Sequence, residues 1–128
     1  MDGSLSRKQS PTMRLEIGGM IGKAEEFDAI IDTGFTGQIA MPLIKALPLG
    51  LVLFSMASFT LADGSSETSF LCFGRAIVDG VNKPVVISLS KGNDTLLGTE
   101  LFADFGIRLD LNYRNNTFRC EAERKNDN

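Results

Sequence analysis

The sequence predicts a mostly β domain, a closed barrel carrying one prominent hairpin and one or two short helices. Three observations predict it. Short β-branched and apolar runs recur along the chain, Gly-rich and Asp-Gly turn signals separate them, and only two stretches carry helix boundaries.

Taken in order, Arg14-Leu15-Glu16-Ile17-Gly18 alternates as a half-buried strand does and runs into a Gly18-Gly19 turn. A second strand, from Glu25 to Ile31, ends in Asp32. After an Asp32-Thr33-Gly34 turn, Gln38 to Met41 reads as a short strand. Pro42 suits the first turn of a short helix, closed off by Pro48 and Gly50. Phe59 to Ala62 and Glu67 to Phe73 flank Asp63-Gly64, the strongest hairpin signal in the chain. Arg75 to Val78 and Pro84 to Leu89 read as strands separated by Asp79-Gly80. Thr95-Leu96-Leu97-Gly98 precedes an amphipathic helix from Thr99 to Phe105 that stops at Gly106. Ile107 to Tyr113 and Thr117 to Glu121 pair about Arg114-Asn115-Asn116. The domain is expected over 14–122, with 1–13 a disordered lead and 123–128 a polar tail.

Composition narrows the chemistry. At 128 residues, 43% hydrophobic and 23% charged, the chain suits one soluble domain with a single core. A net charge of −3 and the absence of a basic cluster argue against nucleic acid as a partner. No apolar run approaches the ~20 residues that span a bilayer, so no membrane partner is expected. Cys72 and Cys120 lack Cys-x-x-Cys spacing, which indicates neither a disulfide scaffold nor a metal site and makes a cytoplasmic setting the default. Histidine is absent, which removes Ser-His-Asp and Cys-His catalysis. Any catalysis must run on carboxylates, hydroxyls, Lys, Arg or backbone groups, and no cofactor is implied.

The run Ala29-Ile30-Ile31-Asp32-Thr33-Gly34 delivers a carboxylate from a buried strand to the edge of a core, where its surroundings can tune it. Alone, such a tripeptide is as readily a plain turn, because Asp and Gly are common turn residues. An Asp-Gly hairpin and a core Leu-Leu-Gly are equally ordinary in isolation.

Together, in this order, Asp32-Thr33-Gly34, the Ala62-Asp63-Gly64 hairpin and Leu96-Leu97-Gly98 resemble the retropepsin-like aspartic proteases. The resemblance spans Arg14 to Ala122. Asp32-Thr33-Gly34-Phe35-Thr36-Gly37 looks most like the prokaryotic members. It implies an aspartic endopeptidase, a homodimer acting on a peptide or protein, with Asp32, Thr33 and Gly34 as the catalytic turn. Ala62, Asp63 and Gly64 would form a flap over the peptide, and Leu96-Leu97-Gly98 would thread beneath the catalytic loop. Segments near Arg14–Ile17 and Thr117–Ala122 would join the dimer sheet. The physical logic agrees: two carboxylates about 3 Å apart share one proton, and this chain holds a single Asp-Thr-Gly, so a two-fold mate must supply the second.

Phe35 departs from the family, whose active members usually carry Ala or Ser in that place. Its ring either lines a substrate subsite or crowds the cleft and leaves the fold without hydrolysis. A catalytically silent dimeric peptide-binding or assembly module on the same barrel is therefore the alternative. Two further readings fail. The phosphate turn of sugar-kinase ATPases needs two lobes, which this length forbids. Gly18-Gly19-Met20-Ile21-Gly22 opens no helix to cradle a phosphate.

Overall fold

The computed structural model describes residues 2–4, 11–60, 63–112, 114 and 117–122. Among these, the strands are β1 (Asp2–Ser4), β2 (Thr12–Gly18), β3 (Glu25–Ile31), β4 (Ile39–Pro42), β5 (Val52–Thr60), β6 (Ser66–Val78), β7 (Val81–Ser90), β8 (Leu96–Leu97), β9 (Ile107–Asn112) and β10 (Thr117–Ala122). Helix α1 (Leu43–Ala46) runs into a 3₁₀ turn at Leu47–Leu49, and α2 covers Thr99–Phe105.

The fold is a closed six-stranded barrel. Its order is β2-β3-β8-β4-β7-β6, with β2 pairing back onto β6 to close the ring. Period-two burial explains why these segments are strands: β2 turns Met13, Leu15 and Ile17 inward and Arg14 outward. Ile17, Ile39, Met41, Ile87, Leu97 and Leu101 are fully enclosed, each stabilising the core by about 1.5–3 kcal/mol. Outside, Arg14 pairs with Asp28 across the β2–β3 ladder at 3.1 Å; both are exposed, so solvent screens the pair and it adds little to stability.

Strand β6 organises the barrel and its hairpin at once. One edge pairs with β7 from Phe70 to Val78. The other pairs with β5 from Ser66 to Phe73 and then with β2 from Arg75 to Ile77. Gly74 sits where the partner changes. A Cβ there would lie 2.8 Å from the Gly18 carbonyl oxygen and 2.9 Å from Cδ1 of Ile87. The sequence suggests two strands broken near this glycine; the chain instead runs straight through, because glycine lets three segments converge. The tight reversal lies at Asp79-Gly80, where φ values of 49° and 79° make the two-residue primed turn that suits twisted strands.

The element bounds differ from those expected in several places. Residues 2–4, within the expected disordered lead, form β1 against Thr117–Arg119, and β2 begins at Thr12. Backbone pairing with a segment at the far end of the chain leaves no local signal in side-chain pattern. Arg14–Ile17 is a barrel strand: Glu16 and Ile17 pair on both edges, and Arg14 and Leu15 pair with β3 on one. The terminal three-stranded sheet is β1-β10-β9. Finally, β5 begins at Val52, seven residues before the expected strand, because its exposed apolar side chains show no alternation. The short helices stand as expected, with Pro42 immediately before α1 and Gly106 closing α2. Residues 123–128 lie outside the described residues.

The crowding at Gly74 gives a direct test. Gly74→Ala should destabilise the chain by about 1–3 kcal/mol in urea unfolding, as overpacking does. Gly92→Ala is the control, since a Cβ there meets only the Ser90 hydroxyl at 3.8 Å and should change stability by less than about 0.5 kcal/mol.

Candidate active site

Asp32 is the first residue after β3, and its position follows from what lies beside that strand. The two residues of β8 insert between β3 and β4, parallel to the first and antiparallel to the second. The loop 32–38 must therefore arch over the segment that leaves β8. Backbone bonds tie the two together. The Asp32 N–H donates to the Leu97 carbonyl at 2.9 Å, and the Gly98 N–H donates to the Gln38 carbonyl at 2.9 Å. The N–H groups of Thr99 and Glu100 donate to the carbonyls of Phe35 (2.9 Å) and Gly37 (3.3 Å). These are the open donors of the first turn of α2, which has no side-chain cap; the loop caps it.

Such closeness needs a residue without a side chain. A Cβ on Gly98 would fall 2.1 Å from the Gly37 oxygen and 2.6 Å from the Phe35 oxygen. This is the threading of Leu96-Leu97-Gly98 beneath the loop that the sequence resemblance implies.

Within the loop, Asp32 is half-buried and its Oδ1 accepts the Gly34 N–H at 2.9 Å. That charge-assisted bond fixes one carboxylate oxygen, while the Phe35 N–H donates to the Asp32 carbonyl at 3.1 Å. Thr33 and Gly34 are exposed at the crest of the turn. Phe35 is half-buried and folds back on its own loop. A Cβ on Gly37 would meet its ring at 2.6 Å, and one on Gly98 would meet Cδ2 at 2.7 Å. The ring thus lies on two glycines, one of them in the same turn.

A residue the sequence did not single out completes the loop. Gln38 accepts the Val86 N–H through its side-chain oxygen at 2.6 Å and donates from Nε2 to Asp104 on α2. Only long-range partners reveal this role, so no local pattern announces it.

The hairpin expected as a flap is the distal part of β5 and β6. From Ser66 to Ser69, β6 pairs with β5 alone, before β7 joins at Phe70. Phe54 and Phe73 stack at 3.9 Å near its base, beside a bulge between Leu53 and Ser55. The β5–β6 ladder is described as far as the Thr60–Ser66 pair, and Leu61 and Ala62 of the segment between lie outside the described residues. Asp63 and Gly64 are exposed within that segment. Asp63 Oδ1 accepts both the Ser65 hydroxyl (2.6 Å) and the Ser65 N–H (2.9 Å), which lowers the Asp63 pKa below the usual carboxylate value.

Among the described residues, no three of His, Cys, Asp and Glu cluster as a metal site would require. Burial pushes the Cys72 thiol pKa up, unlike a reactive thiolate. No helix is long and apolar enough to cross a membrane. An apolar cavity of about 350 Å³ between α1 and β6, lined by Leu43, Leu47, Phe70 and Leu89 among others, does not include Asp32.

Phe35 and Gly37 should be energetically coupled. Gly37→Ala pushes against the far end of the Phe35 ring, so it should cost about 1–3 kcal/mol in the natural chain. In a Phe35→Ala background that cost should largely disappear, a coupling of about 0.5–3 kcal/mol measurable as a double-mutant cycle by urea unfolding.

No protein-family model and no curated protein matches the chain. Among solved structures, it is similar to the EIAV protease complexed with the inhibitor HBY-793. The TM-score is 0.61 at 15% sequence identity, over 85% of this chain and 100% of that one. The barrel, the loop over Leu96-Leu97-Gly98 and the projecting hairpin together make this a retropepsin-like fold.

Proposed function

We propose that the chain is a homodimeric aspartic endopeptidase in which the Asp32 carboxylates of two protomers share one proton and activate a water. The observation that carries this reading is the Asp32 loop itself: a carboxylate at the end of barrel strand β3, one oxygen held by the Gly34 N–H, clamped from below by Leu97–Glu100. The same bonds also serve the fold, since the Gly34 contact is an Asx turn and the loop caps α2. For a reacting carboxylate they supply the fixed geometry that catalysis depends on.

The chemistry follows from the dyad. The ionised carboxylate accepts a proton from water as its oxygen adds to the scissile carbonyl carbon. The protonated partner hydrogen-bonds the carbonyl oxygen and offsets its developing charge. Collapse of the tetrahedral intermediate breaks the C–N bond and returns a proton to the leaving nitrogen. Thr33, at the exposed crest, is assigned to the contact between the two loops, and Gly34 keeps a backbone N–H close to the carboxylate. Phe35 is assigned to the wall of a substrate subsite. The segment Ala62-Asp63-Gly64 closes over the bound peptide as the flap, a role that suits a ribbon end paired only to itself.

The place of Phe35 supports hydrolysis over the silent-module alternative. A ring resting on Gly37 and Gly98 is accommodated by its own loop instead of standing free over Asp32. For dimerisation, the terminal β1-β10-β9 sheet offers open edges at β1 and β9.

Sedimentation should give about twice 13.9 kDa at micromolar concentration. Peptide hydrolysis should show a bell-shaped pH profile on the acid side of neutrality, rising as the dyad loses its first proton and falling as it loses the second. Asp32→Asn should lower turnover by about 10²–10⁴-fold or more while leaving the dimer intact. A dimer that cleaves no peptide from pH 3 to pH 8 contradicts the proposal and leaves the binding-module reading in its place.

A further inference from the structure

The parallel ladder between β4 and β7 begins at Ile39↔Ile87. One residue earlier the Gln38 backbone has left that ladder, because its carbonyl accepts the Gly98 N–H instead. The Val86 N–H, at the matching rung, is taken by the Gln38 side-chain oxygen at 2.6 Å. The side chain thus substitutes for the backbone it accompanies, and the loop can turn away from the sheet without orphaning a donor. The other end of the same amide donates to Asp104 Oδ2. The Asp104 carbonyl in turn accepts Lys83 Nζ at 2.6 Å, whose ammonium lies 5.6 Å from the Phe105 ring centroid. One half-buried amide therefore joins β7, α2 and the exit of the Asp32 loop.

The connection to Asp32 is short. The peptide unit between Leu97 and Gly98 donates its N–H to Gln38 and accepts the Asp32 N–H through its carbonyl, both at 2.9 Å. A peptide unit is planar and stiff, so displacement at Gln38 is passed to Asp32 across a single rigid plate. We propose that Gln38 is the positioning residue for the Asp32 carboxylate, held by Val86 and Asp104 and acting through the Leu97–Gly98 peptide. This rests on reading Asp32 as the reacting group. Glutamine is the residue the place requires: it carries an acceptor for Val86 and a donor for Asp104 at the right reach. Asparagine is too short, methionine has neither group, and glutamate sets a carboxylate against that of Asp104.

Three full-length variants test it: Gln38→Met, Gln38→Glu and the double variant Gln38→Glu/Asp104→Asn. Gln38→Met should lower kcat about 10- to 100-fold with KM changed less than about twofold, because geometry is lost and substrate contacts are not. Amide exchange at Asp32 and Gly98 should accelerate about tenfold, while exchange at Ile87 and Leu101 stays as in the natural chain. Gln38→Glu should behave similarly. The double variant reverses donor and acceptor between the two side chains. The carboxylate introduced at position 38 accepts from the Val86 N–H and from the amide introduced at position 104. Both readouts should then return to within about threefold of the natural chain. Natural exchange and kcat in Gln38→Met, or a double variant no better than Gln38→Glu, would overturn the assignment. Should the natural chain cleave nothing, the proteolytic reading fails by itself, and the exchange measurements still decide whether Gln38 holds Asp32.

Discussion

The rest of the structure depends on one peptide unit, the Leu97–Gly98 plane that passes under the Asp32 loop. Its carbonyl holds the entry to the loop at Asp32 and its N–H holds the exit at Gln38. Both bonds require the two backbones to approach closely, and the 2.1 Å that would separate a Gly98 Cβ from the Gly37 oxygen shows why only glycine serves. The loop 32–38 is thereby pinned at both ends by a segment distant in sequence, which is how a short exposed turn acquires the rigidity of the barrel.

Other features read as consequences. Helix α2 starts directly after this plane and gives its first N–H groups to the loop, so its N-terminus is spent on structure and not on a ligand. Buried Leu101, Phe102 and Phe105 then seat the helix against the core. The Phe35 ring covers the glycines that the crossing demands. The β5–β6 ribbon is the counterpart of this rigidity. Among the described residues its distal end pairs with no third strand, and Asp63 holds Ser65 in a local turn. That contact depends on an ionised carboxylate. Because the Asp63 pKa is lowered on folding, the stabilisation is present above the unfolded value and fades as pH falls through the folded one.

Much of this was legible in sequence, and the boundary between legible and hidden is physical. Ala29 to Gly34 announces a buried strand ending in a carboxylate because the signal is local: a β-branched run, then turn residues. Helix α2 is equally local, with its apolar face and Gly106. What stayed hidden is what depends on partners far along the chain. β1 exists through β10, and Gly74 looks like a break until three segments are seen to converge on it. Gln38 carries no motif, since its meaning lies in Val86 and Asp104. The direction taken by the Phe35 ring is not written in the sequence, because it is set by packing against Gly37 and Gly98, the latter distant along the chain.

The central claim is that Asp32 is half of a carboxylate pair. The most direct measurement is a crystal structure of the full chain grown at acidic pH, reading the separation of Asp32 carboxylate oxygens across the molecular two-fold axis. The account predicts about 3 Å, the spacing at which two carboxylates share one proton. A two-fold that leaves the carboxylates beyond hydrogen-bond reach, or a chain that remains monomeric, would contradict it.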